Sequence, residues 1–97
     1  MNEKLKSAYI NNLFRAILSL ETIEECYDFF DDLCTIAEIQ EMGKRIAAAK
    51  MLKDGAKYTA IAEKTGLSTA TISRVNRALK YGSDGYTKAL SKIEYEE

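Results

Sequence analysis

Residues 58 to 80 read YTAIAEKTGLSTATISRVNRALK. This stretch predicts two short helices joined by a tight turn, a helix-turn-helix. Ile61 and Ala62 take the inward positions of the first helix, and Ala62 must be small because the two helices cross closely there. Gly66 supplies the turn, since a residue without a Cβ enters the left-handed region at little steric cost. Leu67 tucks back into the core, and Ser68 caps the second helix. Ile72, Val75 and Leu79, three and four apart, form that helix's buried stripe. The outward positions are Thr69, Ala70, Thr71, Ser73, Arg74 and Arg77, a short, hydroxylated and basic face without an acid. Such a helix fits the major groove of duplex DNA, where small groups approach base edges and arginines reach phosphate or guanine. A solvated face of an ordinary helical hairpin would carry no such bias.

Charge along the chain points the same way. The whole chain has a net charge of −1, which by itself argues against a nucleic-acid partner. Residues 1 to 42 carry a net −6, residues 43 to 93 a net +8, and the last four residues −3. Screening limits electrostatic reach to about 8 Å at physiological salt, so local potential decides. A basic half can therefore hold DNA within an acidic chain. Lys57, Lys64, Arg77 and Lys80 are the expected phosphate contacts, with Thr69, Ala70, Thr71 and Ser73 reading bases.

The rest of the chain reads as helix, with no alternating strand pattern. A first helix is expected over residues 3 to 20, with Leu5, Tyr9, Ile10, Leu13, Phe14, Ile17 and Leu18 among its apolar positions. Thr22 with Glu25, and Thr35 with Glu38, are capping-box pairs that start helices over 23 to 33 and 36 to 53. Gly55 closes the latter, and Gly82 and Gly85 loosen the chain before a last helix near 86 to 93. Tyr95, Glu96 and Glu97 are expected to fray. Cys26 shares a stripe with Ile23, Tyr27, Phe30 and Leu33 and reads as a buried small hydrophobe.

The first helix is apolar on more than one side and needs cover on each. A chain of 97 residues has little core to spare for it, so a homodimer is expected. The division expected of a single domain is a dimerisation core over 1 to 54, the helix-turn-helix over 58 to 80, and a C-terminal helix and tail over 83 to 97. No segment is apolar enough to span a membrane and no signal peptide is visible, so the protein is expected in the cytoplasm. Two cysteines without any histidine make neither a disulfide framework nor a metal site. No cofactor is expected. No glycine-rich phosphate loop and no nucleophile paired with a base at helical spacing suggests an enzyme.

The run LFRAILSLETIEECYDFFDDLCTIAEIQEMGKRIAAAKMLKDGAKYTAIAEKTGLSTATISRVNRALK resembles the Trp-repressor superfamily. Within it, the run resembles the Trp-repressor-like YerC/YecD branch of bacteria, through LCTIAEIQEMGKRI and GLSTATISRVNRALK in particular. The resemblance covers roughly residues 13 to 86. It implies an all-α, six-helix fold, an intertwined homodimer, and repression of transcription by operator binding. It places DNA contacts at Thr69, Ala70, Thr71, Ser73 and Lys80.

The resemblance also implies a possible effector pocket, where members of the family hold free tryptophan. Thr35, Arg45 and Arg74 match the family there. Val75 stands in place of a glycine and Ala78 in place of a serine. Valine overfills a slot meant for a ring, a misfit of about 1 to 3 kcal/mol, and alanine removes a polar partner worth about 1 kcal/mol. The expectation is DNA binding without a tryptophan response. The alternatives are a helix-turn-helix that docks on another protein, and a repressor with an unidentified small-molecule corepressor.

Overall fold

The computed structural model describes residue 3 and residues 6 to 97. It contains six helices: α1 (Ala8–Leu18), α2 (Ile23–Leu33), α3 (Ile36–Lys53), α4 (Tyr58–Thr65), α5 (Thr69–Tyr81) and α6 (Gly85–Lys92). The described residues include no strand. The fold is all-α, and it comprises two compact units, Met1–Ile39 and Gln40–Glu97.

In the first unit, α1 starts later than its apolar pattern predicts. Ser7 is extended and its hydroxyl accepts from the Ile10 N–H at 3.2 Å, so a side-chain cap fixes the start at Ala8. At the other end Ser19 donates its hydroxyl to the Ala16 carbonyl at 2.6 Å, and helical hydrogen bonding ends. The expected span of 3 to 20 is corrected to these limits; Leu5 lies outside the described residues. No residue of α1 or α2 is fully buried. Tyr9 and Leu18 are 90 % and 83 % exposed, and Ile23 and Tyr27 are also open.

Helix α2 begins at its expected cap. The Glu25 N–H donates to the Thr22 hydroxyl at 3.1 Å, and the Glu25 carboxylate returns to the Glu21 N–H at 2.6 Å, one residue earlier than a standard capping box. Phe29 and Phe30 meet edge to face, with ring centres 5.4 Å apart. Cys26 is exposed, which corrects the expectation of a buried thiol. The stripe it shares with Ile23 and Tyr27 has the spacing of a core face, but both of these residues are exposed. At the start of α3, the Thr35 and Glu38 side chains each accept from the other's backbone N–H, at 3.1 and 2.8 Å. The Thr35 N–H, followed by its hydroxyl, holds the Glu38 carboxyl below the usual range.

The second unit contains the fully buried core: Ala48 and Ala49 from α3, Ile61 from α4, Leu67 from the turn, and Ile72 and Val75 from α5. Two consecutive alanines at 0 % exposure let the backbone of α3 come close to the helix-turn-helix. Leu79, Tyr86 and Leu90 pack on the edge of this cluster and carry α6 with it. Helix α6 begins at Gly85, one residue before its expected start, after Asp84 takes a left-handed conformation with φ of 63°.

Two glycines set the corners. Gly55 (φ 87°) ends α3: its N–H reaches the Leu52 carbonyl, and the Ala56 N–H reaches the Met51 carbonyl at 2.9 Å. That pairing is a Schellman motif. Gly66 (φ 76°, ψ 4°) ends α4 and turns the chain into α5. A Cβ at Gly66 would meet nothing within 4 Å, so the demand for glycine comes from the backbone alone. Gly66→Ala is therefore expected to cost about 1 kcal/mol, the left-handed penalty without a steric clash. Urea unfolding measures it; a loss under about 0.3 kcal/mol would show that the turn has another accessible geometry.

Candidate nucleic-acid interface

Helix α5 is positioned by its own sequence. The Ser68 hydroxyl accepts from the Thr71 N–H at 3.1 Å and fixes the first turn. Ile72 and Val75, at 0 % and 2 % exposure, lock the opposite face into the core. The remaining arc must then face outward. Thr69, Ala70, Ser73, Arg74, Arg77 and Lys80 are all exposed and lie on that arc. No aspartate or glutamate occurs anywhere in α5. The arc offers small groups near the start of the helix and cations farther along it.

Thr71 differs from the others in the expected base-reading set. It is half-buried at the flank of the arc, and its hydroxyl accepts from Ser68 at 3.0 Å. Its side chain serves the cap first. Ser73, one turn from Thr69 and Arg77, holds the centre of the exposed arc.

The cations around the arc have room to reach a ligand. Among the described residues, no ion pair involves Arg74, Arg77, Lys80, Lys57 or Lys64. Lys57 precedes α4, whose first turn has no side-chain cap, and Lys64 sits in its last turn. Both are exposed. Uncompensated cations beside small side chains match the division of labour in DNA binding, in which cations hold the backbone and short groups meet bases.

Of the second-unit residues expected to form an effector pocket, Arg74 and Ala78 share one hollow. An open hollow of about 490 Å³ beside the end of α5 is lined by Arg74, Arg77, Ala78, Tyr81 and Gly82. Arg74 and Ala78 are thus neighbours there. Val75 points the other way, into the core. Arg45 does not line the hollow; its Nε donates to Glu41 at 3.1 Å on the same face of α3. Thr35 belongs to the first unit, where it serves as the cap of α3. The sequence reading missed Tyr81, which is 82 % exposed and lines the same hollow as the two arginines. Its position four residues after Arg77 was the available signal: an aromatic ring left outside the buried stripe.

The chain matches the family model described as Trp repressor protein over residues 8–94. It is 52 % identical over 95 residues to the protein YerC of Bacillus subtilis (strain 168), covering 98 % of this chain and 91 % of that one. Its structure is similar to that of a TrpR like protein from Eubacterium eligens ATCC 27750, with a TM-score of 0.89 and 54 % identity, over 97 % of this chain and all of the other.

Proposed function

Because the chain belongs to the Trp repressor protein family, a family of DNA-binding regulators, we propose that it is a sequence-specific transcriptional repressor that binds operator DNA as a homodimer. The observation that carries this reading is the exposed arc of α5, basic, hydroxylated and free of acids. In this reading α5 lies in the major groove, with Ser73, Thr69 and Ala70 nearest the base edges. Arg77 and Lys80 hold one phosphate strand, and Lys57 and Lys64 another. A single recognition helix spans only a few base pairs. Two of them, about 34 Å apart in a twofold dimer, read a full site.

The open apolar residues of α1 and α2 support the dimer. Tyr9, Leu18, Ile23 and Tyr27 give one protomer an exposed apolar surface that a second copy would bury. Cys26 would be covered with them.

Binding assays on duplex DNA test the reading. Arg77→Ala is expected to weaken binding to all sequences alike and to lower the salt slope by about one, as for a phosphate contact. Ser73→Ala is expected to act mainly at one base pair of the site, by about 1 kcal/mol. Filter binding or fluorescence anisotropy across a salt series reads both. If both variants fold and neither changes DNA affinity, α5 is not the reading helix, and docking on another protein becomes the better account.

A further inference from the structure

Within the second unit, the acidic segment that follows α6 is held through Tyr95 instead of fraying. Tyr95 is half-buried, and the ammonium of Lys50 lies 5.8 Å from the centre of its ring. That distance is within reach of a cation–π contact. Tyr95, Glu96 and Glu97 line a groove of about 530 Å³ together with Lys44, Lys50 and Lys64. Ala47 and Met51 supply its apolar wall, against which an aromatic residue can lodge. The groove thus holds an aromatic anchor, with two carboxylates and three lysines around it. Lys50 is additionally hydrogen-bonded to Asp54 at 2.6 Å. That bond, with the charges of Asp54 and then Glu97, holds its ammonium above the usual lysine range despite some loss of solvation.

The location of the groove gives it meaning. Lys64 lies in the last turn of α4 and belongs to the set of cations assigned to the phosphate backbone. Segment 94 to 97 carries three glutamates in four residues, directly after a stretch whose net charge is +8. Glu96 and Glu97, which line the groove, offer its lysines an intramolecular alternative to phosphate. A tethered ligand acts at high effective concentration, so weak contacts suffice for occupancy.

We propose that segment 94 to 97 is an intramolecular competitor of DNA: anchored by Tyr95 in the groove of α3 and α4, its carboxylates lower the positive potential around Lys44, Lys50 and Lys64, and the phosphate backbone must displace them to bind. This rests on the DNA-binding reading given above. Every duplex that uses these lysines must displace the segment first, so the segment lowers operator and non-specific affinity by the same factor. The device therefore sets the overall strength of DNA binding without contacting a base.

Two variants of the full chain test this against the wild type. In the first, Glu94, Glu96 and Glu97 are all changed to glutamine. Its affinity for duplex DNA of arbitrary sequence is expected to rise about tenfold at 50 mM salt, with a salt slope steeper by about two. In the second, Tyr95→Ala removes the anchor without changing charge. It is expected to raise non-specific affinity about threefold, in the range of a lost contact of this kind. A gain for the glutamine variant without any gain for Tyr95→Ala would mean that net charge alone acts, and would overturn the seated competitor. Unchanged DNA affinity in both variants would overturn it as well.

Amine acylation followed by mass spectrometry gives a reading that needs no DNA. Lys50 and Lys64 are expected to react faster in both variants than in the wild type, whereas Lys88 reacts equally in all three. Equal reactivity of Lys50 and Lys64 throughout would show that the groove is not occupied in solution. If none of the three proteins binds any duplex, the repressor reading fails, and the acylation rates still decide whether the segment sits in the groove.

Discussion

At micromolar concentration the chain is expected to sediment as a species of twice its 10.9 kDa mass, and Leu18→Lys is expected to split it into protomers. Leu18 is 83 % exposed in the protomer. On a surface that stayed free, a lysine there would change stability by less than about 0.5 kcal/mol. In a dimer interface the same change forfeits about 2 kcal/mol of apolar burial and buries an unpaired charge at about 3 kcal/mol more. Dissociation would rise by a factor of about a thousand or greater. Sedimentation equilibrium reads the mass directly, and urea titrations at several protein concentrations should show a midpoint that moves with concentration for the wild type. A wild-type protomer at all concentrations, or a Leu18→Lys variant that assembles normally, would end the interlocked model.

L-Tryptophan is expected to leave the wild type unaffected: no micromolar heat of binding in titration calorimetry, and no gain in operator affinity. The position that would have to admit an indole ring carries Val75, whose side chain is 2 % exposed among Ala48, Ala49, Ile61 and Ile72. The valine is a structural member of the core. Val75→Gly together with Ala78→Ser is accordingly a severe change. It removes three buried carbons, about 2 to 3 kcal/mol with the cavity left behind, and puts glycine in a helix interior for about 1 kcal/mol more. Thermal unfolding should fall by well over 10 °C for a domain of this size. A micromolar response to tryptophan in the wild type would refute the expectation. A weak response that arises only in the double variant would support it.

The helices that begin with side-chain caps were legible from the sequence. Thr22, Thr35 and Ser68 each accept the backbone N–H their spacing predicts, Glu38 closes its box while Glu25 reaches one residue earlier, and α2 and α3 start where these residues indicate. The start of α1 was misread because apolar periodicity continues past Ser7, and the cap ends the helix regardless. Cys26 shows a different limit. Periodicity reveals that a face is apolar but not whether it is covered, and on α2 Ile23, Cys26 and Tyr27 are exposed.

In the candidate site, the exposed arc of α5 followed from the buried stripe opposite it. Arg74 and Arg77 were readable for that reason. The pairing of Arg45 with Glu41 was available as an i, i+4 pair. The seating of Tyr95 was not available, since it depends on where the chain returns after α6, and no local pattern encodes that path.

The junction after α3 limits how this protein can be controlled. Only four residues separate Lys53 from Tyr58; three of their backbone N–H groups donate back to α3, and one of the four is a left-handed glycine. Such a joint has no slack, so the angle at which α4 leaves α3 is a property of the ground state. A ligand can shift an equilibrium only by its preference for one form over the other. To move a hundredfold-disfavoured geometry to a hundredfold-favoured one, that preference must reach about ten-thousandfold. A stiff joint thus makes a poor lever, and the inexpensive means of adjusting the output is to change which charges are available on a frame that stays still.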